Sequence, residues 1–167
     1  MGSYFSDELH PSGSDKQWPP GCTLFVPFQD PSNVGAVIRS AAAFGVRRVV
    51  MLREAAHPFH HKSVRAAGSS ILRISLLEGP SIRELEKTRA PLITLSPKGK
   101  NIARYKFPTT FGLLPGLEGP GFPDNLKRAT PLAIPMEPGI ESINAALATG
   151  IALYLWRRSV KRDSRRE

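Results

Sequence analysis

The chain has 167 residues, about the length of one domain, and 41% of them are hydrophobic while 22% are charged. This composition is typical of a globular protein and excludes a chain that is disordered throughout. The single cysteine excludes an internal disulfide and a zinc site built from several cysteines. It also favours a reducing compartment such as the cytoplasm.

Lysine and arginine outnumber aspartate and glutamate by 23 to 14, so the formal net charge is +9. Such an excess favours a polyanionic partner, because neutralised phosphates release their counterions. A globular protein that is merely basic is the alternative. Six basic and two acidic residues are concentrated in positions 157–167, and a segment of this kind is often only a solvated end.

The two ends of the chain differ in composition from its middle. Residues 1–20 are polar, rich in Ser, Gly and Pro, and carry no signal sequence. The longest uncharged stretch near the C-terminus, 142–156, is too short to span a bilayer. We therefore expect a soluble, cytoplasmic protein with a flexible leader (1–20), one domain (21–158) and a basic tail (159–167).

After the leader, short apolar runs alternate with helical or loop segments. The runs are apolar on both faces, which is typical of strands in a covered parallel sheet. The alternation predicts an α/β fold with helices on both faces of a mostly parallel sheet. The predicted strands are 23–28, 47–53, 71–76, 92–96, 110–114 and 132–136; the predicted helices are 34–44, 81–89 and 140–158, with shorter pieces near 62–67 and 123–128.

The first predicted helix is unusual on the side opposite its apolar stripe. Ser32 or Asn33 is a candidate cap for its start, and Gly45 for its end. Arg39 is expected at the edge of a helix covered on more than one side, where a charge needs a partner. Three small residues suggest that backbone, a ligand or a second subunit comes close: Gly35, Ala36 and Ala43.

The last predicted helix is apolar or small nearly all round, which indicates burial against the sheet, a partner chain, or both. Its first turns carry Ser142 and Asn144. From the pattern alone, Ser142 is a helix cap and Asn144 an incidental polar residue.

Three segments carry the candidate chemistry. The first runs from Asp30 to Gly45, the second is a glycine-rich turn from Leu114 to Gly121, and the third joins a strand end to a helix over 134–145. The second matches neither the dinucleotide-binding nor the P-loop fingerprint. The third has the form of the strand ends at which open α/β sheets bind ligands. These features predict a cofactor-binding α/β domain with a basic surface.

Together and in this order, the segments resemble the three motifs of the SpoU/TrmH family of RNA methyltransferases. The resemblance covers about residues 23–158, and in the third motif an isoleucine replaces the common leucine. The matching residues are Asn33, Gly35 and Arg39 with the Ala43–Gly45 triplet, then Gly116, Glu118 and Gly121, then Ile134–Met136 with Ser142, Ile143 and Asn144.

The resemblance implies a deep trefoil knot in the C-terminal part, although knots are almost absent among proteins. It also implies a homodimer, and it makes 21–158 a knotted catalytic domain that binds S-adenosylmethionine. The cofactor-binding residues that it implies, with Ile143 packing on the adenine, are Leu95, Ser96, Gly99, Leu114, Gly116, Glu118, Ile134, Met136 and Ile143.

The implied reaction is methyl transfer to a ribose 2′-hydroxyl of tRNA or rRNA, without a metal. Arg39 would be the central catalytic residue, as a base or as an organiser of RNA phosphate. Because a guanidinium rarely loses its proton, we prefer an electrostatic clamp, which is compatible with an ion pair to Glu118. Asn33, Ser142 and Asn144 would position the substrate or Arg39; otherwise Asn33 is a helix cap.

Histidines at positions 57, 60 and 61 are candidate metal ligands, but the segment lacks the paired cysteines or second ligand cluster expected of a zinc site. His61, with Lys62 and Arg65, is better interpreted as facing RNA or as part of an ordinary solvated loop.

Two other functions compete with this prediction. One is a knotted domain that binds RNA without methylating it. The other is a Rossmann-type oxidoreductase, which the missing glycine fingerprint disfavours. Many members of the family that the chain resembles also carry a separate N-terminal RNA-binding domain, so the sequence is either a minimal member or a fragment.

Overall fold

The computed structural model of the protein describes residues 19–87, 90–116, 126 and 128–163. The strands are β1 (Gly21–Val26), β2 (Arg48–Met51), β3 (Ser75–Glu78), β4 (Leu92–Asn101), β5 (Thr110–Leu114) and β6 (Thr130–Ala133). The α-helices are α1 (Pro31–Ala43), α2 (His61–Ala67) and α3 (Ala145–Asp163), and 3-10 helices span Gly68–Arg73, Ile82–Lys87 and Ile102–Arg104.

The six strands form one sheet in the order β3-β2-β1-β5-β4-β6, and every neighbouring pair is parallel. The predicted parallel sheet flanked by helices is confirmed. Because all strands point the same way, their carboxyl ends share one edge of the sheet and their amino ends share the other. In the described part of the chain, no helix is long and apolar enough to cross a membrane.

Each face of the sheet has its own core, since successive side chains of a strand point to opposite faces. Leu24 and Val49 belong to the core that also contains side chains of α1 and α3. Phe25 and Val50 belong to the second core, which contains Leu85 of a 3-10 helix. This explains why the strands are apolar on both faces.

The start of α1 is capped by Asp30 and not by Ser32 or Asn33 as predicted. The Asp30 side chain accepts a hydrogen bond of 2.9 Å from the backbone N–H of Ser32. Pro31 occupies the first turn, where its missing N–H costs nothing. Asn33 therefore lies inside the helix and is not its cap.

The end of α1 confirms the predicted role of Gly45. Gly45 has a φ of 80°, in the left-handed region that glycine adopts without strain. Its N–H donates to the Ala42 carbonyl at 3.3 Å, and the Val46 N–H donates to the Ala41 carbonyl at 2.9 Å. This pair of bonds is the Schellman motif.

Two predicted elements on the sheet's periphery differ from the observed ones, the first in its bounds and the second in its helix type. Residues 71–73 belong to a 3-10 helix, and the strand predicted there starts only at Ser75, where it pairs with Arg48 of β2. The helix predicted over 81–89 is a 3-10 helix, Ile82–Lys87, whose start is held by the Glu54 carboxylate through the Ile82 N–H. Both starts are set by partners distant in sequence. The piece predicted near 123–128 lies largely outside the described residues.

Candidate functional site

The carboxyl ends of β4, β5 and β6 meet at one edge of the sheet. Leu95 of β4 pairs with Leu132 of β6. A β-carbon on Gly116, just beyond β5, would lie 3.2 Å from the Leu95 carbonyl oxygen. The predicted cofactor-binding segments, which begin at Leu95 within β4 and follow the ends of β5 and β6, are therefore neighbours in space.

Beyond Leu95, β4 departs from regular pairing and then returns. Leu95 and Lys100 are both in register with Leu132, so residues 96–99 form an irregular excursion from the ladder. At Gly99 the backbones of the two strands nearly touch, since an added β-carbon would lie 2.5 Å from the carbonyl carbons of Pro131 and Leu132. Only glycine allows this approach. The Ser96 hydroxyl accepts a hydrogen bond from the Lys98 N–H at 3.4 Å.

A hydrogen bond joins the first and third motifs at this same edge. The Asn144 Nδ2 donates to Asn33 Oδ1 at 3.0 Å, across 111 positions of sequence. Asn144 Oδ1 meanwhile accepts from the Leu147 N–H at 3.0 Å and so caps the start of α3. Asn33 is 92% buried. The start of α1 and the start of α3 are thus tied together by two amide side chains.

The last helix begins at Ala145, not at Ile140 as predicted, and it ends at Asp163, not at Arg158. Ser142 and Asn144 therefore precede the helix, although the sequence placed them in its first turns. The cap is Asn144, which the pattern had treated as incidental. Ser142 is exposed.

The other residues predicted to bind the cofactor differ in exposure. Leu114 is buried at the end of β5, while Ile134, Met136 and Ile143 are half-buried in the segment between β6 and α3. Glu118, with the rest of the glycine-rich turn beyond Gly116, lies outside the described residues.

Arg39 is exposed, contrary to the expectation that it sits on a covered helix edge. Among the described residues, none forms a hydrogen bond or an ion pair with it.

Gly35, one of the small residues on the same helix, is explained by packing. A β-carbon on Gly35 would overlap the Ser63 carbonyl oxygen and lie 2.7 Å from the Ala66 β-carbon. Gly35 thus allows α2 to pack closely on α1.

The histidine segment is organised by its own backbone. His57 Nδ1 accepts from the Phe59 N–H, and His60 Nδ1 accepts from the Lys62 N–H, both at 3.2 Å. His60 is the cap of α2, which explains its position without a ligand. His61, Lys62 and Arg65 are exposed. In the described ranges no three His, Cys, Asp or Glu side chains are grouped as metal ligands.

A concave region lies at the opposite, amino edge of the sheet, and the sequence did not single it out. It is a cavity of about 830 Å³ that we call the amino-edge groove, lined among others by Arg47, Arg73, Lys106 and Arg157. These positions come from four separate segments, so no local motif could reveal them.

Cys22 also lines the groove. Burial raises the pKa of its thiol, which keeps the thiol protonated and unreactive.

The chain is similar to a known family over most of its length. The model of the SpoU rRNA Methylase family matches residues 23–154. That span contains all three motifs and five of the six strands in full.

Individual relatives agree with this match. "Ribosomal RNA small subunit methyltransferase G 2" of Syntrophobacter fumaroxidans is 56% identical over 85% of this chain, but the match spans only 28% of that protein. The 23S rRNA (guanosine-2′-O-)-methyltransferase RlmB of Xanthomonas campestris is 31% identical over 75% of this chain and 53% of its own. The chain therefore spans about half or less of these curated relatives.

A solved structure has the same architecture. The SpoU methyltransferase AviRb of Streptomyces viridochromogenes, in complex with the cofactor AdoMet, superimposes with a TM-score of 0.76 at 26% identity. The superposition covers 87% of this chain and 59% of that one.

Proposed function

The chain belongs to the SpoU rRNA methylase family, and from this premise we propose that it transfers a methyl group from S-adenosylmethionine to a ribose 2′-hydroxyl of tRNA or rRNA. The RlmB relative is named as a ribose methyltransferase, and the AviRb structure carries the cofactor. The observation that carries the proposal is the Asn144–Asn33 hydrogen bond, because it joins the first and third motifs beside the ends of β4 to β6.

The residues at the carboxyl edge fit an adenosine-containing cofactor. Ile134, Met136 and Ile143 offer half-buried apolar surface for a base. Gly116 has no side chain at the point where its backbone approaches the Leu95 carbonyl oxygen. Main-chain groups there can therefore bind polar atoms of the ligand. We assign cofactor binding to these residues together with Ser96, Gly99, Leu114 and Glu118.

When bound, S-adenosylmethionine supplies an activated methyl group. The protein's part is to hold the ribose hydroxyl in line with that methyl group, and orientation of this kind can supply about 7–11 kcal/mol. We propose that Arg39 stabilises the negative charge that develops on the ribose oxygen, together with the adjacent phosphate. The oxygen would take the methyl group as its proton passes to solvent water, and the sulfur would leave as a neutral thioether. A guanidinium holds its proton too firmly to act as the base. The Asn33–Asn144 pair, with Ser142 and Glu118, would position the substrate or Arg39.

Replacing Arg39 tests this assignment. Arg39→Ala should lower kcat by about 10²–10³-fold, the usual loss when a stabilising donor is removed, and leave the affinity for S-adenosylmethionine unchanged. Steady-state methyl transfer at saturating RNA and calorimetric titration with the cofactor measure the two quantities. Arg53→Ala is the charge-matched control, since Arg53 is also exposed, pairs with Glu84 at 3.6 Å and belongs to none of the three motifs. Full activity of Arg39→Ala would remove Arg39 from the mechanism.

We further propose that the protein works as a homodimer. Ile140, Leu147 and Tyr154 are each at least half exposed in the isolated protomer. Leu147 and Tyr154 are seven positions apart and share one face of α3, and Tyr154 packs against Phe44 at the end of α1. A second copy covering this apolar face would also approach Arg39 and Ala43 on α1. Sedimentation velocity at micromolar concentration tests this, and a monomer would contradict it.

The trefoil knot belongs to the same proposal. It is supported by the close passage of β4 and β6 at Gly99 and by the family match. The knotted catalytic domain would span 21–158. We also propose that His61, Lys62 and Arg65 contact RNA, because the segment is exposed and basic. The names of the relatives support a cytoplasmic location beside ribosomal or transfer RNA.

A knotted domain that binds RNA without methylating it is the competing function. Incubating total RNA with labelled S-adenosylmethionine and mapping the modified nucleotide by mass spectrometry distinguishes the two. A labelled 2′-O-methyl nucleotide supports methyl transfer. RNA binding without label would favour the alternative.

A further inference from the structure

We infer that the amino-edge groove binds the phosphodiester backbone of the RNA substrate, at a site separate from the proposed methyl-transfer site at the carboxyl edge. The inference rests on the proposed function, since it assumes an RNA substrate. It adds a second contact surface at the opposite edge of the sheet.

The first argument is the position of the groove. Gly21 and Arg48 stand at the starts of β1 and β2, and Thr109 directly precedes β5; all three line the groove. α3 starts at the carboxyl edge and runs across the sheet, so that Trp156, late in the helix, reaches Gly21. The groove and the Asn33–Asn144 bond therefore lie at opposite ends of α3. A strand of RNA spanning both sites would have to wrap around the domain.

The second argument is charge. Five basic side chains line the groove, and no aspartate or glutamate of the described residues does. Arg47, Arg73 and Lys106 are exposed at its rim. A one-sided concentration of positive charge in a concave surface attracts polyanions, since the low-dielectric walls focus the field.

The third argument is that two of the arginines are positioned. The Arg48 Nε and Nη2 donate to Thr23 Oγ1 at 3.2 and 3.1 Å, which holds the side chain against β1. The Arg157 guanidinium packs over Gly45, with its Cζ 3.6 Å from the point where a β-carbon would stand. Held guanidinium groups lose less side-chain entropy on binding a phosphate than free ones.

The fourth argument is size and lining. A volume of about 830 Å³ is within the range of sites that enclose a small organic ligand. Phe107 contributes a half-buried aromatic side chain beside the cations. Aromatic and basic side chains together are the usual combination in surfaces that bind single-stranded nucleic acid. An RNA backbone fits these features better than a folded protein surface does.

The test uses two double variants of equal charge. Arg47→Gln/Arg73→Gln removes two cations from the rim, and Arg53→Gln/Arg128→Gln removes two exposed cations that do not line the groove. The probe is a fluorescent single-stranded RNA of about 20 nucleotides, titrated at several salt concentrations; this length exceeds the roughly 4–16 nucleotides typical of one single-strand binding site.

The groove variant should bind RNA at least about tenfold more weakly than wild type. The slope of log affinity against log salt should become shallower by about 1.4, because each phosphate contact on a single strand contributes about 0.7. Its KM for RNA should rise by a similar factor, while kcat at saturating RNA and the affinity for S-adenosylmethionine stay at wild-type values. The control variant should change RNA affinity much less.

The outcomes separate the two proposals. If the wild-type protein neither binds S-adenosylmethionine nor methylates RNA, the proposed function fails. If the wild type methylates RNA but the groove and control variants have equal affinity and salt slopes, only the groove is excluded. A changed oligomeric state of the groove variant with unchanged RNA affinity would assign the groove to contact between copies of the chain and overturn the inference.

Discussion

The two edges of the parallel sheet are built by different means. At the carboxyl edge, close backbone contacts at Gly99 and Gly116 and one amide pair bring the strand ends together. At the amino edge, long basic side chains from separate segments surround a cavity. A site made from backbone needs particular residues at fixed spacing and therefore leaves a motif. A site made from charged side chains can take them from any segment of the chain. Its only signal in the sequence is then an excess of one sign of charge.

The largest effect is expected from Gly99→Ala, which tests the backbone contact at the carboxyl edge. The added β-carbon would lie 2.5 Å from main-chain atoms of β6, which cannot move aside as a side chain would. Overpacking of this kind costs about 1–3 kcal/mol, and we expect the upper end of that range together with loss of cofactor affinity. Denaturant unfolding and calorimetry with S-adenosylmethionine measure both.

Two other glycines provide the comparison for Gly99→Ala. Gly116→Ala should be milder, since among the described residues only the Leu95 carbonyl oxygen lies within 4 Å of the added β-carbon, at 3.2 Å. Gly150→Ala should preserve or raise stability, because its β-carbon would make ordinary contact with Ser40 and alanine favours a helix. Equal stability of all three variants would mean that the strands do not approach as closely as described.

Asn144→Ala should lower the free energy of unfolding by about 1–2 kcal/mol. The change removes the cap of α3 and the hydrogen bond to Asn33, and loss of a helix cap alone typically costs about 1 kcal/mol. RNA affinity at the amino edge should be unaffected. Thermal and denaturant unfolding provide the measurement.

The smallest change in stability is expected from Asn144→Asp, which separates the two bonds. A carboxylate keeps the oxygen that accepts from the Leu147 N–H, and its charge suits a helix N-terminus. It has no N–H to donate to Asn33. Stability should fall less than in Asn144→Ala, because the cap is kept and only the bond to Asn33 is lost. A fall in turnover larger than that of an equally destabilised variant would be due to the lost Asn33 contact. Unchanged turnover in this variant would show that the Asn33–Asn144 bond only supports the fold.

Much of the sheet could be predicted from the sequence, because a strand covered on both faces is apolar throughout. The predicted and observed bounds of β5 are identical, Thr110–Leu114, and the end of α1 at Gly45 followed from its own turn chemistry. Errors fall where a distant partner sets the element: Glu54 at the 3-10 helix after Ser81, and β2 at the start of β3.

The candidate site divides in the same way. Its three segments were visible as motifs, and the placement of the ends of β4, β5 and β6 side by side follows from a parallel sheet. The capping role of Asn144 and its bond to Asn33 were not visible, since the local sequence of such an asparagine does not differ from that of one without these contacts. The exposure of Arg39 was also missed, because helical periodicity gives the direction of a side chain but not what covers it.

The sequence by itself therefore determined the α/β class, the approximate positions of the strands along the chain, and the family. These depend on local periodicity and on short motifs. Only the tertiary structure decided that Gly99 faces the backbone of β6 and that Arg47, Arg73, Lys106 and Arg157 surround one cavity. The physical reason is that packing distances and electrostatic fields depend on separations in space, and local pattern carries no information about which distant segments the fold brings together.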